Sequence, residues 1–60
     1  MKITQVNNRY FIEIQGGRLH VLNAKSLAWN LKRLYGMNTI VVKEIIARLD
    51  AEGSVELVAA

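Results

Sequence analysis

The first fifteen residues hold two stretches rich in β-branched and aromatic types, residues 2–6 (KITQV) and 9–15 (RYFIEIQ), separated only by Asn7-Asn8. Asn tolerates positive φ, so the spacing predicts two strands joined by a two-residue hairpin turn. Gly16-Gly17 then separates the second strand from RLHVL at 18–22, which predicts a second tight hairpin and a three-stranded antiparallel meander. Alternation assigns the faces. Tyr10, Ile12, Ile14, Leu19 and Val21 point one way and are expected to form core. Arg9, Phe11, Glu13, Gln15, Arg18, His20 and Leu22 point the other way, onto a mixed and largely wet face.

From Asn23 the period changes. Asn23 is a suitable N-cap for a helix over about 24–35, with Gly36 able to end it in a left-handed cap. Ala24, Leu27, Ala28, Leu31, Leu34 and Tyr35 fall on one stripe at the helical spacing. A second helix is expected after Asn38, ending at Gly53, with Val42, Ile45, Ile46 and Leu49 as its apolar stripe and Glu44–Arg48 as an exposed pair four residues apart. The β-branched Thr39–Val42 leaves an extended first turn open as an alternative. Ser54–Val58 alternates again, with Val55 and Leu57 on one side, and reads as a short closing strand. The expected fold is α+β, a three-stranded antiparallel meander followed by two helices packed on one sheet face and a short C-terminal strand, in the order βββααβ.

Composition sets the scale. Sixty residues make one domain, 1–60. A chain of this length buries only about 60 % of the surface its unfolded form exposes. The absence of Cys excludes disulfides and thiolate metal sites, and His20 is the only His. Of the usual aids to a small fold, self-association remains. Apolar residues make up 52 % of the chain, more than so small a globule can hide, which points to a homodimer. With no signal-peptide pattern and no membrane-length apolar run, the expected setting is soluble and cytoplasmic, with no membrane partner.

Charge is distributed unevenly. Residues 1–37 carry Lys2, Arg9, Arg18, Lys25, Lys32 and Arg33 against Glu13 alone, whereas residues 38–60 carry Lys43 and Arg48 against four acids. A basic N-terminal half is suited to a polyanion or an acidic protein surface.

Little in the chain suits catalysis. His20 has Glu13 on the neighbouring strand and the same face, but cross-hairpin pairs of this kind are mostly surface electrostatics. Ser26 and Ser54 lie where Ser commonly caps or turns. Gly16-Gly17 lacks the helix N-terminus and Lys of a phosphate-cradling loop. The expectation is a protein that is not an enzyme and takes no cofactor and no metal.

The first helix carries the most informative feature. At about 100° per residue, Trp29 falls opposite the Leu27/Leu31/Leu34 stripe and shares its side with Lys25, Lys32 and Arg33. Three uses fit a Trp among cations: packing in a dimer interface or under the C-terminal strand, binding a polyanion, or docking on an acidic protein. A rival surface is the open sheet face, where Arg9, Gln15, Arg18 and His20 would read nucleic acid.

Residues 36–55, GMNTIVVKEIIARLDAEGSV, resemble the second half of a helix-turn-helix or winged-helix DNA-binding unit. Gly36, Val42, Ile45, Ile46, Leu49, Gly53 and Val55 occupy the corresponding places. Gly36-Met37-Asn38 after Arg18–Leu22 also resembles the turn of ribbon-helix-helix repressors, which are small dimers. The resemblance implies DNA binding. It departs from a recognition helix in offering Thr39, Ile40, Val41 and Lys43 in the first turns rather than several basic or amide side chains. The expectation is thus a small dimeric nucleic-acid-binding or transcription-modulating protein of the kind common in phage and mobile elements. The alternative is an interaction module or inhibitor that binds an acidic protein through its basic, aromatic helix face.

Overall fold

A computed structural model describes residues 1–57 of the chain. The elements are β1 (Lys2–Val6), β2 (Arg9–Ile14), β3 (Gly17–Val21), α1 (Ala24–Arg33), α2 (Thr39–Glu52) and β4 (Ser54–Glu56). The fold is α+β in the order βββααβ, as the hydrophobic pattern predicts. All four strands join one antiparallel sheet in the order β3-β2-β1-β4. Val58, which the sequence reading adds to the last strand, lies outside the described residues.

Local chemistry fixes the turns and caps. Asn7 and Asn8 adopt φ of 48° and 67°, the paired left-handed conformations of a type I′ turn. Their twist matches the flanking strands, so β1 and β2 pair in register from Val6↔Arg9 to Lys2↔Glu13. The second hairpin turns through Gln15-Gly16, with Gly16 at φ 90° where a side chain would be strained. Asn23 and Asn38 each cap a helix, their Oδ1 atoms accepting from the Ser26 and Val41 backbone N–H at 2.8 and 2.9 Å. The second cap and helix settle Thr39–Val42 as helical. Gly53 ends α2 at φ 82°, donating its N–H to the Leu49 carbonyl. Its own carbonyl accepts from Gln5 N–H at 2.8 Å and so starts the β1–β4 pairing.

The core lies between the sheet and the two helices. Val55, Ile3 and Ile12 form one row across β4, β1 and β2, and Tyr10 and Val21 begin the next. Leu27 and Leu31 of α1 and Val42, Ile45 and Leu49 of α2 close over them. Helix α1 packs on β2 and β3, and α2 on β1 and β4. Buried aliphatic side chains of this size contribute about 1.5–3 kcal/mol each, which is why the hydrophobic stripes decide the fold.

Three expected core residues are corrected. Ile14, Leu19 and Leu34 are 46 %, 38 % and 61 % exposed. Ile14 and Leu19 are on the predicted side of the sheet, but nearer the Gln15-Gly16 hairpin than Tyr10 and Val21, toward the end of β2 and β3 that the short α1 covers less fully. That helix stops at Arg33 with Leu34 as its C-cap, earlier than the 24–35 expected, so Leu34 projects past the packed stripe. The expected Glu44–Arg48 pair is replaced by Arg48–Glu52, one turn later, at 3.6 Å.

Candidate polyanion-binding face

Two surfaces bring together the residues that the sequence singles out. The first is the open face of the sheet. The strand registers line up Glu56, Lys2, Glu13 and Arg18 across all four strands, an alternation of negative and positive charge. Arg18 Nη2 lies 3.8 Å from Glu13 Oε1, both largely exposed. The next row runs Ser54, Thr4, Phe11, His20. There the Phe11 and His20 rings stack with centroids 4.9 Å apart and planes 11° from parallel, and the Arg18 guanidinium lies 5.4 Å from the Phe11 centroid. Glu13 therefore pairs with Arg18 rather than with His20. Of the cations expected to read a polyanion here, Arg18 is compensated by Glu13, and Arg9 stands apart at the Asn7-Asn8 end of β2. Such a ladder stabilises a sheet edge to edge but leaves little net field.

The second surface is the outer side of α1. Leu27 and Leu31 anchor the helix to the core, which turns Lys25, Trp29, Lys32 and Arg33 outward, all exposed. Trp29 is 56 % exposed, so it packs neither under β4 nor into the core. The Arg33 guanidinium sits 5.9 Å from the Trp29 ring, one turn along. No Asp or Glu occurs between Glu13 and Glu44, so nothing on α1 or its flanking segments neutralises these cations. Lys32 and Arg33 also occupy the last turn, where positive charge complements the helix dipole, a contribution of about 0.3–1 kcal/mol. That structural role accounts for two cations at the C-terminal end. It accounts for neither Lys25 at the other end nor Trp29 in water.

The sequence reading missed two features. The charge ladder needs the β1–β4 pairing, which brings Glu56 beside Lys2 from the far end of the chain. Ile40 of α2 is 78 % exposed and Val41 accompanies it, because the buried arc of that helix is centred on Val42, Ile45 and Leu49. Among the described residues, no group of three or more His, Asp or Glu side chains is placed to hold a metal ion, and no helix is long and apolar enough to cross a membrane.

Comparison of the chain with protein-family models, with curated proteins and with solved structures finds no match in any of the three.

Proposed function

We propose that this protein binds nucleic acid through the outer face of α1, with Lys25, Lys32 and Arg33 on phosphates and Trp29 against a sugar or base. The observation that carries the reading is an exposed Trp flanked by three cations on a helix without a single acid. Uncompensated cations gain by releasing counterions from a phosphate backbone, and an aromatic face adds stacking with any base. The open sheet face has aromatic and basic residues too, but its cross-strand charge ladder is nearly balanced. It therefore ranks second. A transcription-modulating role in the cytoplasm, as a homodimer, belongs to the same reading.

The test is a titration of fluorescently labelled DNA and RNA with the full chain across a range of salt. Three phosphate contacts give a slope of log affinity against log salt of about −2.7 on duplex and about −2 on a single strand. Trp29 fluorescence is expected to change on binding. No shift of either nucleic acid at low salt overturns the proposal. In that case the same face would serve the second reading, an acidic protein surface, which is favoured by the Trp29–Arg33 contact because Trp and Arg are the residues that most often anchor interfaces.

A further inference from the structure

The sheet has two edges that differ in kind. On the helix side Val55 of β4 is buried, whereas β3 pairs with β2 at all five of its positions without a bulge and four of those five residues are exposed, Leu19 among them. Natural edges are blunted by charged side chains, Pro, bulges or a covering element. β3, with the sequence GRLHV, has no Pro and no bulge, and its one full charge, Arg18, lies beside Glu13 of β2.

The hydrogen-bonding direction of that edge follows from the ladder. Gln5 N–H donates to Gly53, so the odd residues of β1 face β4 and its even residues face β2. Arg9, Phe11 and Glu13 of β2 consequently bond β1, and Tyr10, Ile12 and Ile14 bond β3. Their partners Val21, Leu19 and Gly17 are thereby satisfied. The backbone N–H and C=O of Arg18 and His20 point away from the sheet.

We infer that β3 is the contact of a two-fold homodimer, pairing antiparallel with β3 of a second copy about Leu19 to make one eight-stranded sheet. In that register Arg18 faces His20 of the partner subunit, and the four outward groups of each strand are matched by four bonds in all. Gly17 leaves room opposite the partner's Val21. On the helix side the row Val55, Ile3, Ile12, Leu19 continues into its own image, covering the exposed Leu19 and adjoining Ile14. On the open side each Arg18, already beside Glu13, lies against the outer face of the partner's His20 and extends the Phe11–His20 stack.

The helices fit this register. Because α1 packs on both β2 and β3, a strand spacing of about 4.8 Å sets the two copies of α1 about 10 Å apart, a normal helix-packing distance. The flank they would present carries Ser26, Asn30 and Leu34, spaced four residues apart, on the side away from Ala24 and Ala28. The dimer would also set two α1 basic faces side by side. The inference does not depend on nucleic-acid binding, and its test contains none.

Sedimentation equilibrium of the full chain from about 1 to about 300 µM is expected to show a reversible monomer–dimer equilibrium. Amide exchange by NMR is expected to slow at Arg18 and His20 as concentration rises. His20→Pro removes one outward donor that the β2 ladder does not use, and Leu19→Lys sets two charges on the two-fold axis. Each is expected to weaken dimerisation at least tenfold, while Trp29→Ala stays within twofold of the native chain. Should His20→Pro fail to fold, Leu19→Lys at a position already 38 % exposed carries the test. A monomer at all concentrations overturns the inference. So does a dimer that Leu19→Lys leaves intact or that Trp29→Ala abolishes.

Discussion

Two aromatic residues of this protein sit beside an arginine, Phe11 on the open sheet face and Trp29 on the outer face of α1, and their surroundings differ in charge. Around Phe11, Arg18 is held by Glu13 and Lys2 lies between Glu13 and Glu56. Around Trp29, Arg33 has company only in Lys25 and Lys32. The same pairing of ring and guanidinium thus serves two ends. In the sheet it is one layer of a cross-strand ladder that stabilises the fold. On the helix it is a free cationic surface. Proximity of an aromatic to an Arg says little about function until the acids nearby are counted.

Reversing charge separates the two surfaces most strongly. The double substitution Lys32→Glu, Arg33→Glu is expected to weaken nucleic-acid binding by about two orders of magnitude at low salt, because two phosphate contacts become two repulsions. Arg9→Glu with Arg18→Glu is expected to cost less than about threefold, since Arg18 is already compensated. Anisotropy titrations of both variants check this. A larger loss from the Arg9, Arg18 variant would place the binding surface on the sheet.

Trp29→Ala is expected to weaken binding by about tenfold, within the range of an aromatic–base stack. Its free energy of unfolding, measured in urea, is expected to change by no more than about 0.5 kcal/mol, as for other surface positions. Phe11→Ala should show the converse. Removing a half-buried ring stacked on His20 is expected to cost about 1 kcal/mol of stability and to leave binding nearly unchanged.

The contrast between the two surfaces was only half legible in the sequence. The α1 face could be read from spacing alone, since Lys25, Trp29, Lys32 and Arg33 are fixed to one side as soon as Leu27 and Leu31 are assigned to the other. The sheet face could not. Which acid meets which base depends on register between strands, and Glu56 reaches Lys2 only because the chain returns after α2 to pair with β1. Ile14 and Leu19 show the same limit. Alternation gives the side of a sheet a residue faces, but whether a helix covers it depends on where α1 ends. Asn23, Asn38 and Gly53, by contrast, act within four residues of themselves, and their caps follow from residue type.

The smallest expected effect is a pH dependence confined to one side of β2. Tyr10 adjoins Phe11 in the strand but points into the core, where it is buried. Burial raises the pKa of its phenol above the ordinary value of 10.0, and the negative charge of Asp50 adds to the shift. Raising the folded-state value of an acid means that, above pH 10, the unfolded chain loses the proton first. Stability from this group is therefore complete below about pH 10 and declines between that pH and the folded-state value. Tyr10→Phe is expected to flatten this alkaline decline, measured by urea unfolding at pH 8 to 11, while binding at neutral pH stays as in the native chain. Phe11→Ala, one residue away on the open face, is expected to keep the decline. If both variants flattened it, the titrating group would not be Tyr10, and the two faces of the strand would not be as independent as their burial implies.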